Sequence, residues 1–492
     1  DQPRSRGLGD VYKRQTLNNH LIQHGGNMFT TDYNTNLQII SDALRSDQSF
    51  DLVKRDLIIA DRKAALFFID GLLKDDITEK ILEFFYKNVK PENFKSALYF
   101  AQSSVPYVEV EVTSDLKKIC TDVLSGISAL IIEDFTEVIL LDTRTYPQRS
   151  TSEPDNDKVL RGSRDGFVET LINNTALIRR RIRDTNLTVK AYSVGTQSHT
   201  DIAVIYMENK VDKKLLANLD KRLKAIDVPS LTMNQQSLVE ALYKNLWYNP
   251  FPKVKHTERP DTTASAILDG NIVILVDNAP SALLLPTSIF DVLEEADDYY
   301  FPPVTGTYLK LARYFITIVT VLITPLWLLA LQNPDYCPEF FRFVLLDEPQ
   351  NIPVFWQLIL MEVGIDGLRL AALNTPNSLT TPLSIIGAIA LSEFAVESGW
   401  VSMEAILYMA LVTVANFTQP NFELGYSFKF CRVLLLVLTY IFNVWGFIIA
   451  FIINLVLLCT NRTLSSKSYL YPLVPFNGKE FLRKILRIRN PR

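Results

Sequence analysis

The stretch VLLLVLTYIFNVWGFIIAFIINLVLLC, residues 433–459, is apolar almost throughout and contains no Asp, Glu, Lys or Arg. About 20 predominantly apolar residues in an α-helix are enough to cross roughly 30 Å of hydrocarbon. We therefore predict that residues 433–459 cross a membrane. This prediction places the chain among integral membrane proteins and divides it into an apolar second half and a more charged first half.

Residues 311–331, 382–399 and 401–418 are the other predicted spans. Pro325 predicts a kink in the first of them, which neighbouring helices tolerate when they cover the freed carbonyl. The last two are short and are joined by the brief turn SGWVS. We expect them to form a helical hairpin inside a bundle, and we assign residues 301–460 to an all-α polytopic membrane domain.

Residues 352–373 read IPVFWQLILMEVGIDGLRLAAL and fit a spanning helix less well. Glu362, Asp366 and Arg369 are spaced i, i+4 and i+7, which places them on one face of a helix. Such a helix either lies in the membrane interface or lines an aqueous path.

The tail, residues 461–492, is basic. It contains many Arg and Lys residues and a single acidic residue, Glu480. Because cytoplasmic segments carry an excess of Lys and Arg, we predict a cytoplasmic tail. The first half of the chain shows no secretion signal, so we predict that it is cytoplasmic too. Two cytoplasmic ends require an even number of spans. This favours four, with 352–373 not crossing fully, and leaves counts of five and six open.

The charged first half predicts an α+β cytoplasmic region in two parts, residues 28–145 and 164–300, joined by a polar linker at 146–163. The predicted strands are 55–69, 129–133, 137–142, 201–207, 271–277 and 282–286, and the predicted helices are 76–86, 114–124, 164–183 and 213–226.

Residues 123–142 and 267–286 align without a gap, and Gly126 coincides with Gly270. This self-similarity predicts that the two parts of the cytoplasmic region are related subdomains. A different strand order in the two parts would contradict the prediction.

The helix predicted over 164–183 ends in a basic cluster that includes Arg179, Arg180 and Arg181. Cations near a helix C-terminus interact favourably with the helix dipole, so a solvated helix end explains the cluster. An inter-subunit salt-bridge surface and a contact with anionic lipid headgroups are the alternatives.

Composition excludes several function classes. The formal net charge of −4 gives no case for nucleic-acid binding. The four cysteines form no CxxC pair and the four histidines show no metal-ligand spacing, so we predict unpaired thiols, no metal and no cofactor. Walker A, HExxH and GxSxG signatures are missing, and we predict no enzyme activity.

Residues 1–27 show no periodicity and are interpreted as a non-native or disordered leader before Met28.

Carboxylates within the predicted spans are the clearest functional signal. Glu393 and Glu397 are one helical turn apart in the second span, and Glu404 begins the third. A charge near the middle of a bilayer costs at least ~2.5 kcal/mol, so it should face a partner or water. We predict that these residues line a cation path or form rings in an oligomer, together with Glu362, Asp366 and Arg369. A position at the membrane interface is the alternative for Glu397 and Glu404, and an ion pair with each other is the alternative for Asp366 and Arg369.

Three long stretches carry a family resemblance: EPDNDKVLRGSRDGFVETLINNTALIRRRIRDTNL (153–187), ERPDTTASAILDGNIVILVDNAPSALLLPTSIFD (258–291) and TPLSIIGAIALSEFAVESGWVS (381–402). They resemble the GerA-type A-subunit family of bacterial spore germination proteins. The signature positions, to which we assign a role in assembly, are Arg161, Gly162, Arg164, Asp165, Gly166, Arg179, Arg180, Arg181, Glu258, Arg259, Pro260 and Asp261.

The resemblance implies a multi-pass protein of the endospore inner membrane that acts in germination. It also implies a homo-oligomer in the lipid bilayer that works with other spore germination membrane proteins. The first hypothesis is a subunit of an ion channel that releases ions during germination. The second is a non-conducting scaffold or signalling subunit of a germinant-receptor assembly.

Overall fold

The computed structural model describes residues 29–145, 162–243, 248–346, 350–374, 393–461, 463–464 and 468–487. The leader 1–27, most of the linker 146–163 and most of the predicted span 382–399 lie outside these residues. The described chain forms two compact units. The first contains 29–145, 163–242 and 256–284, and the second contains 162, 243, 248–255 and the residues from 285 onward.

The first half of unit one is an antiparallel sheet with helices on both faces. Its strands are β1 (Leu52–Ile59), β2 (Arg62–Ile69), β3 (Val110–Thr113), β4 (Ser128–Ile132) and β5 (Val138–Leu141), in the order β1-β2-β4-β5-β3. Helices α1 (Tyr33–Leu44) and α4 (Leu116–Leu124) cover one face, and α2 (Asp75–Asn88) and α3 (Ala97–Ser104) cover the other. Successive side chains of a strand point to opposite faces, so Leu66 and Phe67 enter different cores.

The second half of unit one contains another five-stranded sheet. Its strands are β6 (Leu187–Val194), β7 (Thr200–Met207), β8 (Lys255–Thr257), β9 (Ile272–Val276) and β10 (Ala282–Leu285), in the order β6-β7-β9-β10-β8. Its helices are α5 (Leu171–Arg181), α6 (Lys213–Lys224), α7 (Gln235–Leu242) and α8 (Pro260–Leu268). The strand order is the same as in the first sheet. A different order would have contradicted the predicted repeat, so the observed order supports it.

The repeat extends to individual turns. Helix α4, strand β4 and strand β5 each lie 144 positions before α8, β9 and β10, at both of their ends. Gly126 and Gly270 share this offset and have φ values of +100° and +97°, a conformation that glycine adopts without steric cost. The shared strand order and the constant offset support the predicted relation between the two subdomains.

A buried asparagine marks the start of both halves. Asn36 in α1 accepts a hydrogen bond from the backbone N–H of Thr30 at 2.9 Å and donates to its carbonyl at 2.6 Å. Asn174 in α5 makes the same pair of bonds with Val168, at 2.8 and 2.6 Å. Each amide thus fixes the chain that enters its helix, at a shared offset of 138 positions.

The helix predicted over 164–183 is shorter in the structure. It begins only at Leu171, because the preceding residues bond elsewhere. The backbone N–H of Phe167 donates to the carbonyl of Glu258, and Val168 is held by Asn174. The prediction of its first turns was wrong for this reason.

Unit two is helical. Its helices are α9 (Ile289–Val292), α10 (Asp297–Tyr300), α11 (Pro303–Gln332), α12 (Val354–Asn374), α13 (Glu393–Glu397), α14 (Met403–Phe417), α15 (Phe422–Thr460) and α16 (Gly478–Ile485). By length and composition, α11 and α15 are the two described helices that could cross a membrane. Pro325 lies inside α11, and the kink predicted there stays a prediction.

Helix α15 reverses its direction at Asn443, where φ is 54° and ψ is −133°. The Nδ2 of Asn454 lies 3.1 Å from the carbonyl oxygen of Cys431. In one continuous helix these residues would be about 35 Å apart, at 1.5 Å per residue. The prediction of one continuous span over 433–459 was therefore wrong, and α15 consists of two antiparallel halves, residues 422–442 and 444–460.

The reversal defines two ends of the helix layer. Asn443 exchanges hydrogen bonds with Asn333, which follows the last residue of α11; the bond from the Nδ2 of Asn443 measures 3.1 Å. This end is named the far end, and the end where α15 begins is named the near end. The tail packs at the near end, where Tyr469 and Phe428 share a core with Phe251.

Helix α12 extends between the two ends. Its Phe355 stacks on Tyr440 at 4.2 Å between ring centroids, at the far end. Its Arg369 lies 3.7 Å from the ring centroid of Phe422, at the near end. The sequence favoured a segment 352–373 that does not cross fully, whereas α12 runs beside nearly the whole first half of α15.

Candidate functional site

Four charged side chains form a closed cluster between α12 and α15, which we name the charge quartet: Glu362, Asp366, Lys429 and Arg432. The Nε of Arg432 lies 2.6 Å from Oε1 of Glu362, and the Nζ of Lys429 lies 3.2 Å from Oε2. Lys429 also contacts the carboxylate of Asp366. Two carboxylates thus face two cations, and the formal charges cancel.

The quartet lies deep in the helix layer. Glu362 and Arg432 are only 4% and 2% exposed. Arg432 is ten residues from Phe422 and ten from Phe442, or about 15 Å from each end of that half of α15. Its Nη1 also donates to the backbone carbonyl of Thr320 in α11, at 2.9 Å. The quartet therefore ties three helices together at mid-depth, where charged groups are expensive to bury.

Polar atoms continue from the quartet toward the far end. The hydroxyl oxygens of Thr324 in α11 and Thr439 in α15 are buried and have no hydrogen-bond partner among the described residues. Both residues lie on the far-end side of Arg432. Buried hydroxyls without a partner are uncommon in proteins, and ordered water commonly supplies the partner.

The third charged residue of the α12 face, Arg369, does not belong to the quartet. Its guanidinium carbon lies 3.7, 5.2 and 5.3 Å from the ring centroids of Phe422, Tyr426 and Phe417. Aromatic faces attract a guanidinium electrostatically. The sequence placed Glu362, Asp366 and Arg369 on one face, and the structure places that face against α15 with two different kinds of partner.

The other predicted pore carboxylates lie at the far end. Glu397 ends α13 and Glu404 is in the first turn of α14, and both are exposed. Glu393 begins α13, but its side chain lies outside the described part of the structure. The described positions agree with the interface alternative for Glu397 and Glu404, because neither residue is buried in the layer.

The two family-signature segments of unit one meet in the structure. Arg259 is fully buried, and its Nη2 donates to the carbonyl of Ser163 at 3.0 Å and to Oδ2 of Asp261 at 2.6 Å. Glu258 accepts the backbone bond from Phe167 that shortens α5. Pro260 is the first residue of α8, a position where a missing N–H costs nothing.

The first signature segment is also held internally. Asp165 pairs with Arg181 at 2.8 Å, Gly166 is buried, and Arg164 is exposed. Gly162 belongs to unit two, where a Cβ would lie 2.3 Å from a ring carbon of Tyr300. Arg161 lies outside the described residues.

The basic cluster at the end of α5 is not a uniformly solvated surface. Arg179 is buried against Asp51, with Nε to Oδ2 and Nη2 to Oδ1 both 3.1 Å, and its Nη1 donates to the carbonyl of Leu187. This bidentate pair joins the first subdomain to the second. Arg180 is partly exposed. The cluster therefore holds unit one together through Arg179, a role that none of the three predicted interpretations contains.

A second charge cluster at the near end was not predicted from the sequence. We name it the junction cluster and define it as Lys255, Asp291, Glu294, Lys310 and Lys484. Lys310 lies 2.6 Å from Glu294, and Lys484 contacts Asp291 and lies 3.8 Å from Glu294. Lys255 donates to the carbonyls of Asp291 and Glu294 at 2.8 and 2.7 Å. The cluster attaches both the tail and the start of α11 to residues 291–294, which precede α11 in the chain.

Burial by itself raises the pKa of Glu294, but the positive charges of Lys484, Lys310 and Lys255 outweigh it and lower the pKa to about 2. Burial lowers the pKa of Lys484, and the carboxylates of Asp291 and Glu294 overcome that effect and raise it. The ion pairs are therefore favourable in the folded protein despite their burial.

Sequence reasoning missed Lys429 and Arg432, which supply both cations of the quartet. They stand three residues apart just before an apolar stretch, and ionisable residues in such a place are a functional signal. Asn443 is the second missed signal, because it interrupts that stretch near its middle.

Comparisons with known proteins agree with the signature stretches. The family described as Bacillus/Clostridium GerA spore germination protein matches residues 38–492. The chain is 36% identical to stage V sporulation protein AF of Bacillus subtilis, over 90% of each chain. It is 27% identical to spore germination protein A1 of the same organism, over 92% of this chain and 93% of that one.

Among solved structures, the N-terminal domain of the A subunit of the Bacillus megaterium spore germinant receptor GerK3 aligns at 24% identity. The alignment has a TM-score of 0.40 and covers 52% of this chain and 95% of that chain. The family match over most of the sequence, together with the 36% identical relative, decides the assignment. The chain belongs to the GerA family of spore germination proteins.

Proposed function

We propose that this chain is a subunit of an oligomeric ion channel that releases ions during endospore germination. The single observation that carries the proposal is the charge quartet, because it places four ionisable side chains at mid-depth in an apolar helix layer. Ionisable side chains inside a membrane are rare, and substrate or ion pathways are among the features that they mark. The buried hydroxyls of Thr324 and Thr439 extend the polar region toward the far end.

In this proposal the quartet is the constriction, and the exposed carboxylates Glu397 and Glu404 lie at the far-end entrance, with Glu393 in the same helix as Glu397. Lys429 and Arg432 neutralise the carboxylates in the conformation described here, which corresponds to a closed path. Opening requires at least one of these ion pairs to separate.

The proposal places the protein in the endospore inner membrane, with both ends of the chain in the cytoplasm. Packing of the tail beside α11 at the near end supports a shared side for the tail and for the segment that precedes α11. Helix α11 begins at the near end and the second half of α15 ends there, which supports an even number of membrane passages. Residues 28–145 and 164–300 form the cytoplasmic part, 301–460 the membrane domain and 461–492 the tail. Other germination proteins and further copies of this chain are the proposed partners.

The alternative, a non-conducting scaffold or signalling subunit, is favoured by one observation. Every side chain of the quartet has a partner within the chain, so the cluster also fits a purely structural role. Oligomer formation and family membership suit both functions, so flux decides between them.

The test is potassium efflux from vesicles that contain the purified full chain. Asp366→Asn removes the half-buried carboxylate and leaves Glu362 to pair with both cations, so the variant should fold. The quartet then carries a net positive charge, which repels potassium even when the path opens, so we expect efflux to fall about tenfold, equivalent to ~1.4 kcal/mol on the barrier. Glu339→Gln is the matched control, because Glu339 is exposed outside the layer and should leave efflux unchanged. Vesicles that show no efflux above the protein-free level would support the scaffold instead.

A further inference from the structure

Tryptophan is exposed at three separate places at the far end. Trp356 is 54% exposed, Trp400 is 57% exposed and Trp445 is 72% exposed. They belong to different segments: the first turn of α12, the turn before α14 and the start of the second half of α15. Apolar side chains that are exposed together at one level of a molecule mark a contact with a membrane or with another protein.

Contacts between neighbouring residues place the three rings at one level. Phe355 stacks on Tyr440 near the reversal of α15, which brings Trp356 and Trp445 to the same end. The backbone N–H of Ser402 donates to Oε1 of Gln357 at 2.8 Å, which brings Trp400 to that end as well.

The surface between the far and near ends is apolar. Exposed side chains on the second half of α15 include Ile448, Ile449, Ile452, Leu455 and Val456. The second half of α15, residues 444–460, covers about 25 Å at 1.5 Å per residue, close to the roughly 30 Å of a hydrocarbon core. A hydrocarbon-sized apolar band with indole rings at one boundary fits a bilayer and its headgroup region.

Aromatic residues also follow α11 at the far end. Tyr336, Phe340 and Phe343 are 88%, 79% and 77% exposed in the short 3₁₀ segments Pro334–Tyr336 and Glu339–Val344. At the opposite end, Phe417 and Phe422 are exposed beside Arg369. Both boundaries of the apolar band therefore carry aromatic rings.

We infer that Trp356, Trp400 and Trp445 form an interfacial ring that contacts the lipid headgroup region of one leaflet. The ring fixes the depth of the helix layer in the bilayer. It places α12 across the full hydrocarbon thickness and the charge quartet near its middle. The inference concerns lipid contact and does not depend on ion conduction.

Depth-dependent fluorescence quenching tests the ring. The full chain is placed in phosphatidylcholine–phosphatidylglycerol vesicles whose acyl chains carry bromine either close to the headgroup or near the bilayer centre. Three variants keep one exposed tryptophan each, and the other tryptophans are changed to phenylalanine. We expect each ring to be quenched more strongly by the shallow bromine than by the deep one.

Trp327 supplies the internal control, because it is 3% exposed and its Nε1 donates to the carbonyl of Val344. A variant that keeps only Trp327 should be quenched weakly by both lipids. If the multiple substitutions impair folding, Trp356→Phe, Trp400→Phe and Trp445→Phe are made singly, and the quenching lost with each is measured instead.

Three outcomes would contradict the inference. Stronger quenching by deep bromine of any of the three tryptophans would place that side chain within the hydrocarbon. Quenching by iodide in water but by neither lipid would place it in solvent. Protection from both lipid and iodide would mean that a second copy of the chain, or another protein, covers the ring.

Discussion

The charge quartet and the junction cluster are built from the same chemistry in different surroundings. Both pair carboxylates with Lys or Arg in buried positions, and both connect α11 to a later part of the chain. The junction cluster lies at the near end, where its lysines tie down the tail. The quartet lies at mid-depth among apolar helices. The ion pairs at the near end are explained by their role in attaching the tail to the start of α11. Burying charged side chains at mid-depth costs more free energy than holding helices together requires, so we assign a function to the quartet.

The largest expected effect comes from removing one member of the quartet. Arg432→Met leaves the carboxylates of Glu362 and Asp366 to share Lys429 and removes the bond to the carbonyl of Thr320. An uncompensated buried charge costs about 3–5 kcal/mol. The measurement is thermal unfolding of the detergent-solubilised full chain, followed by size exclusion.

The double variant Glu362→Gln with Arg432→Met removes both charges and should recover at least half of the lost stability. Equal losses in the single and double variants would show that the quartet is not coupled, and the comparison between the two clusters would fail.

A smaller effect is expected in the junction cluster. Lys484→Met removes the contacts with Asp291 and Glu294, but the side chain of Lys484 is 30% exposed and solvent screens part of the interaction. We expect a loss of about 1–2 kcal/mol in the same unfolding measurement. The matched control is Lys479→Met in the same helix, whose side chain is exposed and which should be neutral. If Lys484→Met lost as much free energy of unfolding as Arg432→Met, the cost of removing a buried charge would not depend on whether it lies at mid-depth or at the near end.

The junction cluster should also respond to acid. The pKa of Glu294 is lowered from its ordinary 4.5 to about 2 in the folded protein. Its stabilising contribution is therefore fully present above about pH 4.5 and is lost as the pH falls toward 2. Hydrogen exchange of residues 478–487, corrected for intrinsic pH dependence, should report a loosened tail in that range.

Glu294→Gln is the control for the acid effect, because it should abolish the response between pH 4.5 and 2. A response that persists in this variant would point to a different titrating group.

The smallest effect is expected for a carboxylate outside both clusters. Glu404 is exposed in the first turn of α14, where it interacts favourably with the helix dipole. Glu404→Gln should change the free energy of unfolding by about 0.3–1 kcal/mol. A loss comparable to that of Arg432→Met would mean that Glu404 is buried in the assembled protein.

The sequence predicted much of the architecture. The repeat was visible because Gly126 and Gly270 must both adopt a left-handed conformation, which leaves a trace in the sequence. The charged face of α12 was visible because helical spacing determines it. Strand β6 was missed, since its second half alternates between exposed and partly buried residues and does not stand out as apolar.

The partners of the charged face could not be predicted in the same way. Lys429 and Arg432 reach Glu362 because α15 packs antiparallel to α12, and this packing follows from contacts that are distant in sequence. For Arg179 the sequence left a solvated helix end, an inter-subunit surface and a lipid contact open, but its partner, Asp51, lies 128 positions earlier in the same chain. Spacing within one helix carries no information about such partners.

The central claim is that water reaches the far-end side of the quartet. The most direct test is Thr324→Cys in a background that carries Cys337→Ser and Cys459→Ser, exposed to a small cationic thiosulfonate reagent that does not cross membranes. We expect Cys at this position to react and potassium efflux to change on reaction. A thiol that stays unreacted while the protein conducts, under conditions where an exposed Glu339→Cys control reacts fully, would contradict it.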